Sequence, residues 1–103
     1  MGALMILNYD VNDRDGLTGY RAAASPILIG PQAGEVVAVS RETLNLAEGA
    51  PAGTDTVVLR FDSVERAKEL FESEAYQAVV SERYRHTTPI AAFIVEELAP
   101  PAS

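Results

Sequence analysis

Residues 56–80, TVVLRFDSVERAKELFESEAYQAVV, run from a strand through a turn into a long helical stretch without interruption. Val57, Leu59 and Phe61 alternate with Thr56, Val58 and Arg60, the two-residue period of a strand whose faces meet different surroundings. At Asp62 the period changes. Val64, Ala67, Phe71, Ala75 and Val79 recur every three or four residues, and Leu70 and Ala78 widen the stripe. Glu65, Lys68, Glu69, Glu72, Glu82, Arg83 and Arg85 take much of the remaining surface. Asp62 is placed to cap the free amides while Glu65 reaches back, as in a capping box. Ser73 offers a second cap. The stretch is therefore one helix or two with a bend, ending between Tyr84 and His86.

The same two periods organise the rest of the chain. Leu4 to Val11 alternate as a strand, with Met5, Leu7, Tyr9 and Val11 on one face and Leu4, Ile6, Asn8 and Asp10 on the other. Asp13 or Asp15 can then cap a helix over about Asp15 to Ser25, whose stripe is Leu17, Tyr20 and Ala24. Pro26 ends this helix or kinks it. Glu35 to Arg41 reads as a second strand, with Val37 and Val39 opposite Val36, Ala38 and Ser40. Residues 42–56 carry Gly49, Pro51 and Gly53 and no clear period, although Leu44 and Leu46 could form a short strand or a lid. Pro89 closes the second helical stretch, and Ile90 to Glu97 is the last strand.

The order β-α-β-β-α-β predicts an α+β fold with an antiparallel sheet and ferredoxin-like topology. One sheet face takes both helices. Leu4, Ile6, Val36, Ala38, Val58, Ala92 and Ile94 are expected on the other, an apolar area larger than a monomer normally leaves open. A second copy stacked sheet on sheet would cover it, so a homodimer through the sheet face is expected. Residues 1–99 are read as one domain and residues 100–103 as a flexible tail.

Composition narrows the function. Fifteen acidic residues against eight Lys and Arg give a net charge of -7, which argues against a nucleic-acid partner. The chain has no cysteine, which excludes thiol chemistry and disulfides. No segment approaches the length of a membrane span and no leader is visible, so no membrane partner is expected and the default location is cytoplasmic. The glycines have neither phosphate-loop nor dinucleotide-binding spacing. With one His and no ligand cluster, no metal and no cofactor is expected.

The run Phe61-Asp62-Ser63 through Ala67, Ser73, Glu74, Ala75, Tyr76 and Gln77 to Arg83 resembles the DUF1330 family. So does the opening pattern of Tyr9, Tyr20-Arg21, Pro26 and a turn at Gly34. The resemblance spans about Met5 to Glu96. It implies a dimeric α/β barrel, two ferredoxin-like sheets enclosing a cleft, in a family without a common activity.

Four residues stand out as ligand-binding candidates: Asn8, Tyr20, Arg60 and His86. His86, the single histidine, is a general base at a cleft mouth or a helix-end residue. Arg60 faces away from the helices, where it binds an anionic or carbonyl-bearing molecule or forms an ion pair between subunits. Arg60 and His86 are the only catalytic candidates. Tyr9 and Tyr20 donate hydroxyls into a cleft or sit in the core. Tyr76, Gln77 and Arg83 anchor the second helix, with Arg83 paired to a carboxylate. The expected function is binding of a small organic molecule in a cleft lined by Asn8, Arg60 and the 44–56 loop. The alternatives are a cofactor-independent monooxygenase or isomerase, and a structural self-associating module without a ligand.

Overall fold

A computed structural model describes residues 2–98, so the expected tail at 100–103 lies outside the described residues. The elements are β1 (Ala3–Val11), α1 (Arg14–Leu28), β2 (Glu35–Ser40), β3 (Asp55–Phe61), α2 (Val64–Phe71), α3 (Glu74–His86) and β4 (Thr87–Glu96). The strands form one antiparallel sheet in the order β2-β3-β1-β4, consistent with ferredoxin-like topology. The expected barrel is not formed. The sheet is open, with β2 and β4 as separate edges, and two central strands between them keep the ends of the sheet apart.

Helix α1 starts where Asp13 leaves extended backbone and its carboxylate accepts the Gly16 N–H at 3.1 Å. It does not stop at Pro26 but continues to Leu28. The proline lies in the last turn, where it removes one hydrogen bond, and Leu28 gains burial as the next position on the Leu17-Tyr20-Ala24 stripe. The second helical stretch is two helices. Ser63, rather than Asp62, caps α2 by accepting the Arg66 N–H, and Ser73 caps α3 by accepting the Tyr76 N–H. The restart at Ser73 rotates the buried stripe. Tyr76, Val80 and Arg83 point inward, whereas Ala75 and Ala78 are exposed.

Strand pairing sets the faces, and two irregularities move residues from where simple alternation puts them. Between Val36 and Ala38 the register with β3 shifts, so Val37 is an extra residue and Val36 and Val39 share the helix-covered face. Strand β4 begins at Thr87 and contains Pro89, which an edge strand tolerates. Its register against β1 shifts at Asn8/Tyr9. Phe93 pairs with Ile6 and Val95 with Leu4 on the open face, while Ala92 and Ile94 turn toward the helices. The open face therefore carries Leu4, Ile6, Ala38, Val58, Ala91, Phe93 and Val95, not Val36, Ala92 or Ile94. The core lies on the other face, where Met5, Leu7, Tyr9, Leu59 and Phe61 meet Leu17, Tyr20, Leu28, Ala67, Tyr76 and Val80.

No helix among the described residues is long and apolar enough to cross a membrane, and the expected cytoplasmic location reduces to that statement.

Candidate functional site

The strand faces just described leave a gap between α1 and the outer half of the sheet. It is a cavity of about 160 Å³ whose apolar walls include Leu7, Ala24, Leu28, Val57 and Leu59. Val36 and Val39 form its open side, where both are about half exposed because β2 reaches beyond the cover of the helices. Tyr9, Tyr20, Arg21 and Ser25 bring the polar groups.

Behind Tyr9 and Tyr20 lies Arg83, only 2% exposed. Its guanidinium carbon is 5.6 Å from the Tyr9 ring centre, 5.9 Å from Tyr20 and 5.1 Å from Tyr84. The fourth tyrosine of the chain, Tyr76, shares a 2.6 Å hydroxyl–hydroxyl hydrogen bond with Tyr20. Burial, reinforced by the neighbouring Tyr76, pushes the Tyr20 hydroxyl well above the usual phenol range. Burial likewise raises Tyr76, partly opposed by the positive charge of Arg83. The expected carboxylate partner of Arg83 is absent. None of the ion pairs among the described residues includes it, and its Nε has no hydrogen-bond partner. Aromatic faces substitute for an anion.

Next to the cavity, Asp55 is 1% exposed and bound in bidentate fashion by Arg14, at 3.0 and 3.2 Å. The Thr54 hydroxyl donates to the same carboxylate at 2.8 Å, and Arg21 stands 3.9 Å away. Burial by itself would raise the Asp55 carboxyl. The hydrogen bonds from Arg14 and Thr54, with the attraction of Arg14 and Arg21, outweigh it and hold the carboxyl below its ordinary 3.8. A depressed folded value means that the stability contributed by Asp55 is complete above the ordinary value and is lost as pH falls through the depressed one. Denaturant titrations over roughly pH 5 to 2 are expected to show an acid limb that Asp55→Asn flattens. An unchanged limb in the variant would assign the acid sensitivity to other groups.

The four residues singled out from sequence are not brought together. Tyr20 lines the cavity. Asn8 is buried on the other face and ties down the β2–β3 loop through the Gly53 backbone and the Thr56 hydroxyl. Arg60 is 43% exposed and pairs within its own chain with Glu35 and Glu97, each at 2.9 Å. Simple alternation puts Glu35 on the opposite face, and the shift at Val37 brings it opposite Arg60. His86 lies at the end of α3 beside Gly16, with Nδ1 3.5 Å from Asp13 and Nε2 3.8 Å from Glu82. Leu44 and Leu46 form neither a strand nor a wall of the cavity; both are exposed on an irregular loop. The sequence reading missed Arg83 as a buried residue and the Arg14–Asp55–Arg21 group. The Ser73 cap was the available signal, since counting from it puts Tyr76, Val80 and Arg83 on one face.

Solved structures share this fold at low sequence identity. A protein of unknown function from Rhodopseudomonas palustris is 15% identical, with a TM-score of 0.71 over 96% of this chain and 84% of its own. HapK from Hahella chejuensis is 17% identical, with a TM-score of 0.60 over 98% of this chain and 97% of its own. A protein from Thermobifida fusca described as dimeric and ferredoxin-like is 19% identical, with a TM-score of 0.54 over 96% of this chain and 92% of its own. No curated protein matches the chain by sequence. The domain of unknown function DUF1330 matches residues 2–98, and the chain belongs to that family.

Proposed function

We propose that the protein binds a small, mainly apolar organic molecule in the cavity beneath α1. The cavity itself carries this reading. Close-packed interiors hold few voids larger than a water molecule, and this one has a volume of about 160 Å³ with an opening at β2. An apolar cavity of about 150 Å³ is enough to hold benzene. One ring or a short branched chain therefore fits. The site is between helix and sheet, not in a cleft lined by Asn8 and Arg60, and of the four sequence candidates it uses Tyr20.

The open sheet face supports a second element of the proposal, pairing with another copy of the chain. Phe93 and Val95 are 47% and 42% exposed there, beside half-buried Leu4, Ile6 and Val58. The description of the Thermobifida fusca protein as dimeric favours a second copy as the occupant. The same face underlies the competing reading, a self-associating module with an empty cavity.

Native mass spectrometry of the purified protein, with NMR titration of added 2-phenylethanol, separates these readings. The expected result is a dimer in which the alcohol shifts resonances of Leu7, Leu28 and Val57, and in which Ala24→Phe, which fills the cavity, abolishes the shifts. A dimer indifferent to the alcohol, and also to the corresponding acid and amine, would leave only the self-associating module. A monomer would overturn the pairing.

A further inference from the structure

We infer that the ligand of this cavity is an anion, a carboxylate carried on one apolar ring or short chain, and that Arg21 receives it. The inference rests on the proposal that the cavity binds a small molecule, and adds the chemistry of the ligand's polar end.

The charges beside the cavity are unequal in number. One buried carboxylate, Asp55, faces two guanidinium groups. Arg14 satisfies it with two hydrogen bonds and the Thr54 hydroxyl adds a third. Arg21 approaches only to 3.9 Å, outside hydrogen-bond range, and forms no other ion pair among the described residues. The group therefore carries one surplus positive charge on a molecule whose net charge is -7.

Position favours the same conclusion. Arg21 belongs to the cavity wall itself, and no Asp or Glu does. Its side chain is 35% exposed, so it retains room to turn toward an entering group. A guanidinium meets a carboxylate through two parallel hydrogen bonds, a geometry unavailable to an alcohol. A ligand amine would lie beside an unneutralised cation and be rejected. The other polar groups offer less, since the Tyr20 hydroxyl is already engaged with Tyr76.

The test compares three ligands of nearly one size, phenylacetate, 2-phenylethanol and 2-phenylethylamine, by NMR titration against the full chain. Phenylacetate is expected to bind roughly tenfold more tightly than the alcohol, with the amine weakest. Arg21→Gln should bring the acid down to the alcohol, and Arg21→Lys, which keeps the charge but not the paired donors, should fall between. The amide spectra of both variants report whether the fold is retained. Equal affinity for acid and alcohol, or an acid preference that survives Arg21→Gln, would overturn the anion assignment and leave the cavity reading standing. If none of the three binds, the cavity reading falls and takes this inference with it.

Discussion

Arg83→Ala is expected to lower stability by about 3–4 kcal/mol in urea denaturation, while Arg83→Met is expected to cost less than about 1.5 kcal/mol. The contrast follows from what surrounds the side chain. Its charge is removed from water without a carboxylate in return, which costs several kcal/mol. Stacking on Tyr9, Tyr20 and Tyr84 returns about 0.5–2 kcal/mol per ring. These effects roughly cancel, leaving the packing of the long stem as the net contribution. Methionine retains most of that volume and removes the unpartnered Nε; alanine leaves a hole beneath three rings. If Arg83→Met destabilised as strongly as Arg83→Ala, the charge itself would be the stabilising element. A hidden anion would then have to be sought beside it.

Arg83 also shows where sequence patterning stops being informative. Alternation and helical spacing suffice for the order of elements and the inward face of β1, and they offer Asp13 and Ser73 among the possible caps, because each depends on neighbours within a turn or two. Arginine on a helix next to Glu82 and Arg85 reads as a solvated position. Its burial depends on tyrosines from β1 and α1, which are distant in the sequence, and on a break at Ser73 that rotates α3 relative to α2.

Face assignments failed for a related reason. A single extra residue inverts every side chain beyond it, and the sequence does not mark Val37 as that residue in β2. Simple alternation therefore puts Val36 on the wrong face, hides Glu35 as the partner of Arg60 and conceals the cavity between α1 and β2. Ala92 and Ile94 were misplaced because parity within β4 is readable but its relation to β1 is not. Tyr20 was found because it lies on a strong local stripe. Arg21, one residue on, stands out in the sequence only within the family-like pair Tyr20-Arg21, since its meaning depends on Asp55 across the fold.

Asn8→Leu is expected to cost about 3 kcal/mol and to free the loop between β2 and β3. Asn8 is 7% exposed and its amide is fully used. The Oδ1 accepts the Gly53 N–H at 2.6 Å, and the Nδ2 group is shared among the Gly53 and Asp55 carbonyls and the Thr56 hydroxyl at 2.9–3.2 Å. Leucine has similar volume but leaves these groups unpaired. The loop cannot settle closer to compensate. A Cβ on Gly53 would lie 2.5 Å from the Tyr9 carbonyl carbon, so the two backbones already touch. Hydrogen exchange should quicken across residues 43–54, where the Thr43 N–H bond to the Thr54 carbonyl and the Asn45–Ala52 pair close the loop. Because Asp55 follows directly, loosening Gly53 also weakens the hold on Arg14 and disturbs the charge balance that leaves Arg21 available. Phenylacetate affinity should then fall only as far as stability and loop protection fall with it. If Asn8→Leu instead abolished binding in a chain of unchanged stability and exchange, Asn8 would be a ligand contact, and the site would have to be moved to the other face of the sheet.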